Sequence, residues 1–388
     1  MMKELTILMP CLNEAETLEL CINRAKKLLN DHDINGEILI SDNGSTDGSQ
    51  EIARRLGARV VDCHVRGYGA ALKNGIEQAD GSFILMGDSD DSYHFDEAWP
   101  MIEELRQGHD VCMGTRLKGT IMPGAMPALN RHLGNPVLTT IGKVLFRTSL
   151  SDFHCGMRAF RKEKVAGLNL VTTGMEWASE MVIKANLAGL KMTEVPIALH
   201  KDGRNRRPHL RPWRDGWRHL RFMLLHSPNW LFTFPGVLMI LFGALGMIAL
   251  ARGTLRIGHA VLDVHSLLVM AFTIILGVQM LFTGIYANIY TRAVGILPWN
   301  NRFDIMIRQF TLEKLLLASV ILGGVGLVGI FSCVWSWYSL GFPPLDYEIT
   351  MRRLIPSLTM FMMMGQGIMN GFMLSILFLD HGKRIARS

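Results

Sequence analysis

Two regimes of hydrophobic patterning divide the chain near residue 225. Before it, short segments rich in Ile, Val and Leu at 5–9, 37–41, 59–63, 83–86 and 111–113 read as strands. Between them lie 14–30, 49–56, 70–78 and 96–106, where apolar residues recur at helical spacing, as in Leu18, Cys21, Ile22, Ala25 and Leu28. Strand alternating with helix predicts a mostly parallel sheet covered on both faces, a Rossmann-like α/β fold. After it, four apolar runs at 230–251, 266–290, 315–338 and 354–379 carry essentially no charge. Each exceeds the roughly 20 residues a helix needs to cross the hydrocarbon core, so the pattern predicts four transmembrane helices. Core helices of a soluble protein are usually shorter and amphipathic.

In open sheets of this kind, ligands bind beyond the carboxyl ends of the strands. Three polar bursts fall there: Pro10-Cys11-Leu12-Asn13-Glu14, Asp42-Asn43-Gly44-Ser45-Thr46-Asp47-Gly48 and Gly87-Asp88-Ser89-Asp90-Asp91. Asp88, Asp90 and Asp91 crowd like charges after an apolar strand, which is unfavourable unless a cation or several donors neutralise them. Mg²⁺ or Mn²⁺, which prefer carboxylate oxygen and share their shell with phosphates, would do so. An Asp-x-Asp alone is common in turns and helix caps. Its position beside Asn13-Glu14 and Asp42 makes a metal–diphosphate clamp the stronger reading, with Glu14 and Asp42 as acceptors for base and ribose donors. Arg66-Gly67-Tyr68-Gly69-Ala70-Ala71 opens a helix with a turn that brings backbone donors close to a phosphate or sugar. Arg116, in Gly114-Thr115-Arg116, is placed to meet a diphosphate bidentately.

Composition adds that 49% of the 388 residues are hydrophobic, which does not suit a purely soluble chain. Charge is uneven. Between 201 and 221 stand Lys201, Arg204, Arg206, Arg207, Arg211, Arg214, Arg218 and Arg221 against Asp202 and Asp215. Trp213, Trp217, Leu220 and Leu224 share one helical face there, and Arg214, Arg218 and Arg221 another, predicting a helix in the membrane interface. The expected layout is a catalytic domain over 1–210, an interfacial amphipathic helix over 211–228 and a membrane domain over 229–388. Arg292, Arg302, Arg308 and Lys314 after the second run, with Lys383, Arg384 and Arg387 in the tail, outnumber Arg252, Arg256, Arg352 and Arg353 on the other side. The expectation is therefore a multi-pass protein of the inner (plasma) membrane with its N-terminal domain and C-terminus cytoplasmic. No long apolar stretch follows the basic start, so no cleavable signal is expected. The six cysteines lack metal-ligand spacing and read as small buried hydrophobes in a reducing compartment.

The first 225 residues resemble family 2 glycosyltransferases of the GT-A fold, specifically the dolichol-phosphate mannose synthase and polyprenyl-phosphate glucosyltransferase group. The matching pieces, in order, are Pro10 with Asn13-Glu14, Asp42 with Ser45-Thr46-Asp47-Gly48, the turn at 67–71, Asp88-Ser89-Asp90, Gly114-Thr115-Arg116, and Asp152 with Cys155-Gly156-Met157-Arg158. The resemblance implies that Pro10, Glu14 and Asp42 hold the nucleoside, with Asn13 and Ser89 beside them. It further implies that Asp88 and Asp90 hold the metal, that Arg116 meets the diphosphate or neighbouring sugar, and that transfer inverts the anomeric centre. Arg204-Asn205-Arg206-Arg207 stands where the family places ligands for the diphosphate and the lipid phosphate, with Arg204 and Arg206 on the donor, although it departs from the family's Arg, Gly, Ser, Lys pattern. Arg131 and Arg158 fall in the segment where this family builds its acceptor site.

The expected reaction is transfer of a hexose from a nucleotide-sugar, of the GDP-mannose or UDP-glucose type, to dolichyl or undecaprenyl phosphate. A phosphate monoester is already anionic near neutral pH, its second pKa being about 6, so a strong base is not required. Glu176 and Glu180 are the candidates for one. The expected partners are the nucleotide-sugar, polyprenyl phosphate and the bilayer, with no nucleic acid; a homo-oligomer is compatible with the sequence. A processive polysaccharide synthase is the rival enzyme, but Leu210-Arg211-Pro212-Trp213-Arg214 lacks the glutamine of the Gln-x-x-Arg-Trp signature. A glycolipid transporter is the rival of another class. The membrane glycines, among them Gly243, Gly246, Gly323 and Gly326, serve helix packing without transport.

Overall fold

The computed structural model describes residues 3–204, 212–294, 297, 303, 305 and 309–385. It divides into two units, Met1–Leu225 and His226–Ser388.

The first unit is built on strands β1 (Lys3–Cys11), β2 (Gly36–Asp42), β3 (Arg59–Asp62), β4 (Gly81–Met86), β5 (Val111–Ile121), β6 (Arg158–Arg161) and β7 (Met192–Leu199). They form one sheet in the order β3-β2-β1-β4-β6-β5-β7. β6 runs antiparallel to β4 and β5, and every other pairing is parallel. The predicted mostly parallel α/β architecture is thus present. Two strands, β6 and β7, extend it, and β5 continues eight residues past the expected end at 113, to Ile121. β6 is four residues long, and β7 has little fully buried surface, so neither has the apolar run that marks a central strand.

Helices α1 (Leu18–Asp31), α2 (Ser49–Arg55), α3 (Tyr68–Gln78), α4 (Trp99–Arg106), α5 (Asn135–Phe146), α6 (Lys162–Ala166), α7 (Trp177–Leu187) and α8 (Pro212–Leu225) complete the unit. The pleat sends Leu5, Ile7 and Met9 of β1 into one core with Leu18, Ile22, Met101 and Leu105. Leu8 goes to the other, with Leu39, Ile84, Leu72, Trp177 and Met181. β1 is buried on both faces, as a central parallel strand should be. At the amino ends of the strands the Glu37 carboxylate accepts from Thr6, Lys3, Arg59 and the Asp80 N–H. The carboxyl ends are left to the candidate site.

α8 has two apolar faces. Phe222 and Met223 enter the second core, and His219 binds the Ser179 hydroxyl at 2.8 Å, which also meets His154 at 3.2 Å. Trp213 and Trp217 stay 79% and 60% exposed, on the face the sequence assigns to the membrane interface.

In the second unit a π-helical turn, Asn229–Thr233, leads into α9 (Phe234–Arg252). A two-stranded hairpin, β8 (Leu255–Ile257) and β9 (Ala260–Leu262), follows. Then come α10 (Val264–Ala293), α11 (Leu312–Ser339) and α12 (Tyr347–Ile385). Among the described residues, four stretches are long and apolar enough to span a membrane: Asn229–Arg252, Val264–Ala293, Leu312–Ser339 and Tyr347–Leu377. Small residues let them meet closely: a Cβ on Gly236 of α9 would lie 2.9 Å from the Gly277 carbonyl of α10. Polar ties add to the packing. Tyr286 donates to Asn370 at 2.8 Å, and Arg352 donates to the Leu250 carbonyl at 2.6 Å while pairing with Asp263.

Candidate active site

The turn after β1 is shaped by Asn13, which takes a left-handed φ of 57°. Its amide accepts the Thr46 N–H at 2.8 Å, and its own N–H donates to Ser45 at 2.8 Å, so the first two polar bursts are laced together. Because Glu14 to Thr17 form this turn, α1 starts at Leu18 and not at the predicted 14. Pro10 has no N–H to give, and it falls beyond Leu8↔Met86, where the β1–β4 ladder ends. Its carbonyl accepts the Ser89 hydroxyl at 2.8 Å. The Ser89 carbonyl in turn accepts Thr17 at 2.7 Å, which fixes the β4 loop against the β1 loop.

Four carboxylates meet this frame. Asp42 is buried, and its Oδ2 accepts from Gly44 N, Ser45 N and Gln50 at 3.0, 2.9 and 2.7 Å. Burial works to raise its pKa, but these donors outweigh it and hold the carboxyl below its usual range. Its Oδ1 is buried without a hydrogen-bond partner. Asp88 accepts the Tyr68 hydroxyl at 2.9 Å. Burial first, and the negative charge of Asp90 next, push its carboxyl up to about 6, against the pull of Tyr68, Arg204 and Arg116. Asp90 accepts from the Ser92 hydroxyl and N–H through Oδ1 and from Arg204 through Oδ2 at 2.7 Å. Glu14 Oε1 accepts from the same guanidinium at 3.2 Å. Asp91 turns away to pair with Arg24 at 2.9 Å, so it is not one of the four.

Arg204 therefore sits as a cation among Glu14, Asp90 and Asp202. Arg206 lies outside the described residues. Arg116 is spoken for as well: it forms a fork on Asp152 at 2.7 and 2.8 Å, with its remaining nitrogen 3.5 Å from the Tyr93 hydroxyl. Arg158 is fully buried, and its guanidinium donates to the carbonyls of Cys155, Ala178 and Phe153. These contacts are structural and give the expected acceptor role of Arg158 no support. Arg131 is exposed in a π-helical turn, Asn130–Gly134. Gly156 approaches the carboxylates so closely that a Cβ would lie 2.6 Å from Asp88 Oδ2.

Of the two candidate bases, Glu180 is fully buried and accepts from the N–H groups of Val171 and Thr172, the Thr172 hydroxyl and Lys184. Glu176, at the start of α7, keeps a buried Oε2 without a partner. Tyr68, Asp152 and Tyr93 were not singled out as site residues from the sequence. Tyr68 stands inside the glycine turn and Asp152 inside a quoted motif, yet what each touches is set by the fold. Five of the six cysteines are buried and all are free, as expected of small hydrophobes.

The carboxylate donor set, the raised Asp88 and a guanidinium already acting as counter-charge fit a hard divalent ion bound at Asp88 and Asp90.

Residues 6–168 match the family described as glycosyl transferase family 2, and residues 285–378 match the glycosyltransferase family 2 C-terminal transmembrane region. The low-salt glycan biosynthesis hexosyltransferase Agl6 of Haloferax volcanii is 34% identical over 350 residues, 89% of this chain and 83% of that protein. The chain belongs to glycosyltransferase family 2. This glycosyltransferase is also 33% identical over 156 residues to a dolichyl-phosphate hexose transferase of the same organism, covering 40% of this chain and 66% of that one. A solved structure of glucosyl-3-phosphoglycerate synthase from Mycobacterium tuberculosis, in complex with Mn²⁺, UDP and glucosyl-3-phosphoglycerate, superposes with a TM-score of 0.47 and 20% identity. That match covers 58% of this chain and 80% of the other. The glycosyltransferase is a membrane protein, with its family domain ahead of four apolar helices.

Proposed function

We propose that this glycosyltransferase transfers a hexose from a nucleotide-sugar to a polyprenyl phosphate at the cytoplasmic membrane face, with inversion and with Mg²⁺ or Mn²⁺. The observation that carries the reading is the gathering of Glu14, Asp42, Asp88 and Asp90 in the loops at the strand ends, with the cationic Arg204 paired to Glu14 and Asp90. Asp42 Oδ1 takes a donor from the nucleoside, with Glu14, Asn13 and Pro10 lining the same loops. Asp88 and Asp90 would hold the ion, and a divalent ion there would offset the charge that develops on the leaving diphosphate. Tyr68 keeps Asp88 oriented. Arg204, which shares Asp90 with the proposed ion site, would serve the diphosphate. Arg116, fixed by Asp152, adds positive potential at the far side.

The acceptor is argued from α8, which carries exposed Trp213 and Trp217 beside arginines directly before the first apolar span in the sequence. The name of the dolichyl-phosphate hexose transferase supports the same class. Arg131, exposed, is proposed to meet the lipid phosphate. The basic loop and tail residues support a cytoplasmic first unit.

One observation favours a second reading. The more extensively similar relative is named for glycan biosynthesis, and a sugar hydroxyl on a lipid-linked glycan would need a base, for which Glu176 Oε2 is available.

Purified enzyme incubated with Mg²⁺, a panel of nucleotide-sugars, and either polyprenyl phosphate or a lipid-linked glycan decides between these by the mass of the product. Hexosyl polyprenyl phosphate is expected, and Asp88→Asn or Asp90→Asn should lower its formation at least 1,000-fold, on the order of 4 kcal/mol in the barrier. Product from the glycan alone would replace the first reading with the second. Full synthesis by the aspartate variants would sink both.

A further inference from the structure

Beyond the carboxylate site, three side chains that can ligate a metal converge where β7 ends. His94 precedes the short turn Phe95–Glu97, Glu97 ends it, and His200 follows Leu199. Glu97 Oε1 lies 3.5 Å from His94 Nδ1 and 3.7 Å from His200 Nε2, and the group's ligand atoms all lie within 4.8 Å of one another. An ion about 2.0–2.1 Å from each atom of a tetrahedral set places those atoms roughly 3.4 Å apart, so the spacing suits one ion.

Further observations bear on what the group holds. His200 Nε2 is buried without a hydrogen-bond partner. The other ring nitrogen of His94 lies 4.0 Å from Asp91 Oδ1, a carboxylate placed behind the ring on the side away from Glu97. The two imidazoles are stacked 3.4 Å apart at 12°, so ion capture asks them to splay until each in-plane lone pair faces the ion. Glu97, half-exposed, leaves a path for entry and a position for water.

We propose that His94, Glu97 and His200 form a second cation site, selective for a borderline divalent transition ion such as Zn²⁺. Two imidazoles and one carboxylate suit Zn²⁺ and disfavour Mg²⁺ and Mn²⁺, which seek an all-oxygen shell. The ion would act on the donor site by position. The His200 N–H donates to the Ser92 carbonyl at 3.0 Å, and the Gly203 N–H donates to the Asp90 carbonyl at 3.0 Å, just ahead of Arg204. Clipping His200 to His94 and Glu97 therefore fixes the base of the strap that carries Arg204 to Glu14 and Asp90.

The test uses the untagged full-length enzyme in detergent, stripped with chelator and titrated with Co²⁺, whose visible ligand-field bands report nitrogen coordination. One Co²⁺ per chain with the bands of nitrogen coordination is expected, retained in Asp88→Asn/Asp90→Asn and weakened at least 10-fold in His94→Ala, His200→Ala and Glu97→Gln. Zn²⁺ should raise the Tm of the stripped parent and not that of the His variants. Glu97→Gln, altering a half-exposed side chain, keeps the test valid should a histidine variant misfold by circular dichroism. Titrations that are the same in the parent and in Glu97→Gln, or bands lost with the aspartates and kept without the histidines, would overturn the proposal.

Discussion

Asp88 and Glu176 show how far single side chains could be understood before the fold was known. That Asp88 and Asp90 end an apolar strand is visible in the chain, because the change from apolar to acidic is local. That Tyr68 holds Asp88, and that Glu180 is consumed by Val171, Thr172 and Lys184 while Glu176 is not, is decided by contacts between distant elements. Arg116 and Arg158 were legible as cations in the right segments. The first is committed to Asp152, the second to backbone carbonyls, and a buried guanidinium needs such partners more than a ligand does. Glu176→Gln is expected to leave the rate with a lipid phosphate acceptor within about 5-fold, since that acceptor needs no deprotonation, whereas a hydroxyl acceptor would lose 100-fold or more, roughly the worth of a general base. Initial rates with both acceptors at pH 7.5 make the comparison.

Strands and helices were recovered where burial on both faces leaves a continuous apolar run, as in β1, β2 and β4, and lost where it does not, as in β6 and β7. The join at the amino ends of β1, β2 and β4 left no such mark, although it should govern the stability of the sheet. Burial would raise the Glu37 carboxyl, but Arg59, the Asp80 N–H, Thr6 and Lys3 together bring it down to about 2, from an ordinary 4.5. A carboxyl depressed in the folded state stabilises above its unfolded value, so this contribution is complete above about pH 5 and disappears as pH falls from 4.5 towards 2. A displacement of that size is at most about 3 to 4 kcal/mol, less whatever Lys3 and Arg59, each about one-third exposed, lose to screening. Glu37→Gln should lower the Tm at pH 7 and flatten its dependence between pH 2 and 4.5, as followed by tryptophan fluorescence. An unchanged pH profile would place acid sensitivity elsewhere.

The division into a mixed α/β unit and four apolar helices was the most legible feature of all, because a change of solvent alters composition over tens of residues at once. α8 was legible in part: its tryptophan face could be read from spacing, whereas its second apolar face, Phe222 and Met223, shows only against the core it enters. In vesicles containing brominated lipid, Trp213→Ala/Trp217→Ala should reduce quenching of tryptophan emission, and it should lower activity there more than in detergent. Equal quenching would mean that this face does not meet lipid. Arg204 links the state of the empty enzyme to the order in which its substrates arrive. Because a guanidinium already balances Glu14 and Asp90, an ion held as proposed by Asp88 and Asp90 would compete with it, and the affinity measured for the free ion would be an exchange constant. A nucleotide-sugar would supply the displaced guanidinium with a new anion, so ion and nucleotide should bind best as one complex. Replacing Arg204 by Ala should then tighten Mn²⁺ alone and weaken the nucleotide-sugar, opposite changes that calorimetry can separate.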